Sequence, residues 1–291
     1  MMYSMLMSNS SSQSILKEIV WQKKIEVAQI QQEMSIASLQ RQLTAAPTVR
    51  DFFTAIQQSF YKPGVIAEVK KVISPHDGVI LNYDFDPLAI AKSYQLGGAT
   101  CISVVTDQKF FQGGFDHLRI IRHRISVPLL CKDFIIDPCQ VYLARSAGAD
   151  AVLLIAAILT DAEISNLLKV IHYLGMNAVI EVHNLSELDR VLKLEDVRII
   201  SINNHSLVDF TVNLSTTQQL IAARRLQLQN LGILVISESG IETPADISRM
   251  DEAGVAAVLM SEVLLQDQNL ELAVKNALKH KIYSYRDVMK K

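Results

Sequence analysis

Tryptophan is nearly missing. Trp21 is the one indole in 291 residues, and aromatic residues make up 6% of the chain. So few rings offer little for nucleic-acid bases to stack on. A surplus of positive charge is missing too: 28 Lys and Arg face 30 Asp and Glu, for a formal net charge of -2. No basic field is present to hold a phosphate backbone. Cysteine is scarce, and Cys101, Cys131 and Cys139 show neither C-x-x-C spacing nor a Cys/His cluster. That removes the usual zinc pattern and leaves buried, reduced thiols as the expectation. No apolar run approaches the ~20 residues needed to span a bilayer. The opening MMYSMLMSNSSSQS lacks the basic start of a secretion signal. The expected protein is cytoplasmic, with no nucleic-acid and no membrane partner.

What is present is apolar. Hydrophobic residues make up 49% of the chain, enough for a sizeable core. Residues 1–13 read as a disordered N-terminus, small and polar. Residues 14–48 read as a helical extension, with Ile15, Ile19, Val20, Ile25, Val27 and Ile30 near a 3.6 period and Pro47 ending it. From residue 49 to 291 the pattern changes. Short β-branched runs (VIAEVKK, CISVVT, PLLCKDF, AVLLIAA, AVIEVH, RIISIN, ILVISES, AVLMSE) alternate with amphipathic stretches, many opening on Asp or Thr near a Pro and closing on Gly. About eight β–α units predict a (β/α)8 TIM barrel of the α/β class. The rival, an open doubly wound sheet, wants a Gly-rich fingerprint after its first strand. VISPHDG stands there instead.

Charged and polar side chains close these apolar runs. Glu68 and Lys70 end the first, Lys132 the third, Glu181 the fifth, Asn203 the sixth, and Glu238 with Ser239 the seventh. A charge at the end of a buried strand costs several kcal/mol unless it is paired or used. A series of them at one end of successive strands describes the mouth of a barrel. Glu68 and Lys70, two apart on one strand, face the same side. Carboxylates and ammonium groups so gathered can run general acid and general base steps on one substrate. The bland alternative for each residue is buried ion pairing that fixes strand register.

The motifs IAEVKK, FFQGG, PLLCKDFIID, GADAVLLIAAIL, LGMNAVIEVH, SINN and SESGI resemble those of indole-3-glycerol phosphate synthase, and the similarity runs from about Ile15 to Leu278. The resemblance implies a carboxy-lyase that closes a five-membered ring on an arene with loss of CO2 and water, without a metal or organic cofactor. It implies Lys132 as general acid and Glu181 as the group that removes a proton. Glu68 and Lys70 would position substrate and intermediate. Asn203, Glu238, Ser239 and Gly240 would bind substrate, as would Phe111 of FFQGG, Phe134 of CKDF and Ser74 of the first loop.

The departures from the family pattern cluster away from these groups. The first loop, usually KK-A-SPS-K-G, reads Lys70-Lys71-Val72-Ile73-Ser74-Pro75-His76-Asp77-Gly78, with Asp77 in place of a cation. The Arg of INNR is His205, the Gly before INN is Ser201, and the Gly of VGE is Ser261. A histidine is mostly neutral at pH 7 and lacks arginine's bidentate fork. Either Ser261 and Lys71 compensate for the lost phosphate contacts, or the substrate is a small aromatic carboxylic acid without phosphate. The second case resembles the divergent cyanobacterial branch that makes scytonemin, whose cyclase acts on an indole-type β-keto acid. The alternatives are indole-3-glycerol phosphate synthase activity itself and, from another class, a non-catalytic barrel that binds an aromatic acid.

Overall fold

The computed structural model describes residues 12–74, 79–80, 85–206 and 211–279. Asp77 lies outside them, as do residues 1–11 of the tail expected to be disordered over 1–13; residues 12 and 13 belong to α1.

Helix α1 spans Ser12–Glu33, beginning two residues before the expected Ser14. The single helix expected as far as Ala45 is broken. Ser35 takes an extended conformation and its hydroxyl accepts from the Ser38 N–H, starting α2 (Ile36–Gln42) afresh. On α1 the buried stripe is Ile19, Lys23 and Val27, one helical turn apart. A further helix, α3 (Phe52–Gln57), was not expected. Asp51 caps it by accepting from the Thr54 N–H.

The barrel follows. Its strands are β1 (Gly64–Val69), β4 (Cys101–Val105), β5 (Leu129–Lys132), β6 (Ala151–Ile155), β7 (Asn177–Val182), β8 (Ile199–Asn203), β9 (Leu234–Glu238) and β10 (Ala257–Met260). All pair in parallel, and β1 closes the sheet by pairing with both β10 and β4. Between β1 and β4 lies a separate antiparallel ribbon, β2 (Val72–Ser74) with β3 (Val79–Ile80). Helices α4 (Pro87–Gly97), α5 (Phe115–Arg122), α6 (Pro138–Ser146), α7 (Asp161–Tyr173), α8 (Leu185–Val191), α9 (Ser215–Asn230), α10 (Pro244–Ala253), α11 (Glu262–Leu265) and α12 (Leu270–Leu278) alternate with the strands. Asp86, Asp137, Thr160 and Thr243 cap four of them, three with Pro in the first turn. The architecture is the expected (β/α)8 barrel preceded by a helix.

Strand alternation sorts the core into two layers. Ile66, Cys101, Leu130, Leu153, Val179, Ile199, Ile236 and Leu259 fill the interior, and Phe52, Phe53 and Ile56 of α3 plug its lower end. Val65, Ala67, Ile102, Val104, Leu129 and Cys131 face the helices. The three cysteines are buried and unpaired. Just before β6 sits Asp150, fully buried. It accepts from Arg122 Nη1 at 2.6 Å, from the Leu129 N–H at 2.8 Å and from the Arg50 N–H at 2.7 Å. Arg122 also donates to the Thr48 carbonyl. This one carboxylate ties the linker before the barrel to α5, β5 and β6.

Candidate active site

The interior register that buries Ile66, Leu130, Val179 and Ile236 carries two residues further to Glu68, Lys132, Glu181 and Glu238. These side chains therefore form the topmost layer inside the barrel. Lys132 Nζ lies 2.6 Å from Glu238 Oε2 and 3.5 Å from Glu68 Oε2. Lys70 Nζ lies 3.8 Å from Glu68 Oε1 and 2.8 Å from Glu262 Oε1, which opens α11. Asn203 donates to Glu181 Oε1 at 3.1 Å, and its own oxygen accepts from the Ser239 hydroxyl at 2.8 Å and from the His205 N–H at 2.9 Å. The groups that close the strands in sequence thus meet in space.

Burial and charge act against each other here. Burial favours the neutral amine at Lys132, but Glu238, Glu68 and Glu181 overcome it and hold the ammonium well above its usual range. Burial pushes Glu68 up, and Lys132 and Lys70 bring it net below the ordinary carboxylate value. Glu181 and Glu238 move apart. Burial raises both, but Glu181 also meets His183, which keeps it ionised. Glu238 has Lys132 in its favour and Glu181 against it, and is pushed up to about 7. Two neighbouring carboxyls split in this way supply one fixed charge and one group that changes state near neutrality.

His183 is a group the sequence reading passed over. Its Nε2 is 2.9 Å from Glu181 Oε1 and its Nδ1 is 3.2 Å from Glu187 Oε2. Burial favours the neutral ring, but the two carboxylates raise its pKa to about 10. Stability from a base whose pKa rises on folding is fully present below the unfolded value of about 6.5 and fades as pH climbs through the folded value. The thermal stability of the parent over His183→Asn is therefore expected to be large at pH 6 and to shrink toward pH 10. Unfolding scans of both proteins across that range check it, and an advantage that holds constant with pH refutes it.

The wall of the mouth is aromatic. Phe111 and Phe134 stand with ring centroids 6.3 Å apart. Asp107 accepts from the Phe110 and Phe111 N–H groups, and Asp133 from that of Phe134. The FFQGG turn then folds back so tightly that a Cβ on Gly113 would stand 2.2 Å from the Val105 carbonyl oxygen. Ser239 and Gly240 both take positive φ, 70° and 72°, at the end of β9. Asn204 holds that bend from outside by donating to the Glu238 and Ser239 carbonyls. The buried Ser261 hydroxyl has no hydrogen-bond partner among the described residues. Ser74 falls in the β2–β3 ribbon, apart from the barrel sheet. Beside Asn203 opens a cavity of about 600 Å³ lined by His183, Asn184, Glu187, Thr211, Asn213 and, from α1, Leu16 among others.

Residues 16–277 match the family described as indole-3-glycerol phosphate synthase. The chain belongs to the indole-3-glycerol phosphate synthase family. A protein of that name from Trichodesmium erythraeum is 51% identical over 267 residues, covering 92% of this chain and 89% of its own. One from Crocosphaera subtropica is 50% identical over 268 residues, covering 92% and 90%. One from Rippkaea orientalis is 50% identical over 274 residues, covering 94% and 93%. Membership of the indole-3-glycerol phosphate synthase family makes the chain a lyase of the decarboxylating, dehydrating, ring-closing kind. The described part of this family member contains no group of three or more His, Cys, Asp or Glu able to hold a metal ion, and no helix long and apolar enough to cross a membrane.

Besides His183, the sequence reading missed Ser103, which donates to Glu68 at 3.3 Å, Glu262, which meets Lys70, and Asn204. Position signals two of these. His183 lies two residues beyond Glu181, just past the end of β7, and Ser103 lies on the interior register of β4.

Proposed function

We propose that the chain catalyses the ring closure of indole-3-glycerol phosphate synthase on the linear phosphorylated precursor of indole-3-glycerol phosphate. The observation that carries this reading is Lys132 held as an ammonium between Glu238 and Glu68, with the Phe111–Phe134 pair on the loops that follow β4 and β5. An arene seated on that wall places its side-chain ketone over Lys132. As the aryl carbon attacks, charge grows on the carbonyl oxygen, where a buried ammonium is worth most. Lys132 supplies the proton there and, recharged from solvent through Glu238 at 2.6 Å, a second one to the departing hydroxyl. The ring carboxylate leaves as CO2, and a carboxylate takes the remaining ring proton as water departs. Glu181, ionised and anchored by His183 and Asn203, and Glu238, titrating near neutrality, are the acceptors at hand. The Ser239–Gly240 bend would receive the phosphate.

One observation favours a second substrate, the unphosphorylated indole-type β-keto acid of scytonemin biosynthesis. Among the described residues of the mouth, Lys70, Lys132 and His183 each already meet a carboxylate, from Glu68, Glu181, Glu187, Glu238 or Glu262. With His205 in place of a permanent cation, a phosphate dianion competes with those carboxylates. A small-molecule aryl acid is the substrate class in both readings.

Turnover of the phosphorylated precursor, followed by indole absorbance, decides between them. A kcat/KM in the common enzyme range of about 10⁴ M⁻¹s⁻¹ or above is expected. Failure on that compound, with cyclisation of the unphosphorylated keto acid by the same sample, establishes the second substrate. Failure on both, with binding of either retained, leaves the non-catalytic barrel.

A further inference from the structure

Lys23 stands in the middle of the apolar stripe of α1, between Ile19 and Val27, and is 2% exposed. A lysine there costs several kcal/mol unless its ammonium is matched. It is matched across the domain. Its Nζ lies 2.9 Å from Asp107 Oδ2 and 2.8 Å from Asp133 Oδ1, with Glu26 of the same helix at 2.9 Å. Asp107 and Asp133 begin the loops after β4 and β5. Each is fully committed: Asp107 Oδ1 accepts from the Phe110 and Phe111 N–H groups, Asp133 Oδ1 from the Phe134 N–H, and Asp133 Oδ2 from the Thr106 hydroxyl at 2.6 Å. The two loops thus carry the two rings of the aromatic wall, and Asp133 directly follows Lys132. One ammonium from outside the barrel joins them.

We propose that Lys23 is a positioning residue for the substrate. It seats α1 on the barrel mouth and, through Asp107 and Asp133, fixes the spacing of Phe111 and Phe134 and with it the place of the aryl group. Without the ammonium, two buried carboxylates face each other unneutralised and the loops part to admit water. The same helix supplies Leu16 to the cavity beside Asn203 and His183, so its seat borders the mouth on a second side. Lys23 touches no reacting atom. Its effect falls on where the substrate sits more than on the acid–base groups. The proposal rests on the reading that the mouth binds an aryl substrate.

The test compares the full-length parent with Lys23→Met, which keeps the stem and removes the charge. Asp107→Asn serves as the second variant, since it keeps the Oδ1 acceptor for Phe110 and Phe111. Hydrogen exchange is read at the amides of Phe110, Phe111 and Phe134, which requires no substrate. Exchange there is expected to speed at least tenfold, with the amides of β6, β7 and β8 unchanged. With whichever aryl substrate the parent turns over, KM is expected to rise about tenfold or more while kcat stays within about threefold. Retained protection at the three amides, or a fall in kcat with KM unmoved, overturns the proposal. If Lys23→Met does not fold, Asp107→Asn carries the same readings. If the parent binds and turns over neither aryl compound, the functional reading fails, and the exchange data still decide whether Lys23 sets the wall.

Discussion

Lys132→Met is expected to lower kcat by a factor of about 10³ or more, because it removes both the proposed proton donor and the charge proposed to meet the developing oxyanion. KM is expected to move little, since the rings that seat the aryl group are untouched. Lys132→Arg is expected to rescue almost nothing: a guanidinium keeps the charge but does not release its proton in the working pH range. Steady-state kinetics of the two variants check this. Substantial kcat in Lys132→Met would move the acid role elsewhere in the mouth, with Lys70 the next candidate. The fold is expected to survive, because Glu238, already pushed up to about 7 with Lys132 beside it, takes a proton when that ammonium goes.

The largest effect on stability is expected far from the mouth. Arg122→Met leaves the Asp150 carboxylate fully buried without its cation. Breaking a buried pair from one side costs about 3–5 kcal/mol, and each kcal/mol is worth roughly 2–4 °C in Tm for a domain of this size class. Activity at low temperature is expected to be unchanged. Adding Asp150→Asn to Arg122→Met is expected to recover part of the loss, because no unpaired charge remains and the amide oxygen still accepts from one of the two backbone donors, the Arg50 N–H on Oδ1 or the Leu129 N–H on Oδ2. Thermal unfolding of the two single variants and the double variant closes the cycle. A double variant no better than the worse single would show that the desolvated carboxylate is not what Arg122→Met exposes.

Much of the fold and of the mouth was legible because both follow from strand periodicity. Once the runs alternate in and out, a charge at the end of a run must face either the helices or the interior. Glu68, Lys132, Glu181 and Glu238 are paired only if they face in together. Groups whose meaning depends on a distant partner were not legible. Lys23 reads in sequence as one more cation on a charged helix, since its counter-ions come from two loops beyond the first strand. Glu262 reads as a helix-opening acid until Lys70 is seen against it. The α3 plug was hidden because DFFTAIQQ is too short for its period to separate helix from strand. The break at Ser35 was hidden because a serine inside a polar helix gives no sign that it caps a new one. The substitutions at Ser201, His205 and Ser261 were visible at once, but their effect depends on the net charge of the mouth, which only the pairings reveal.

The contact between Lys70 and Glu262 lies at the seam where the last strand of the barrel meets the first. An anion that approaches Lys70 competes with the Glu262 carboxylate, whose side chain is half exposed. The protein thus carries its own competitor for that ammonium, tethered and always present. A weak or singly charged anion gains little by the exchange and is turned away. A ligand that brings enough binding elsewhere, through its ring on the aromatic wall, pays the exchange and stays.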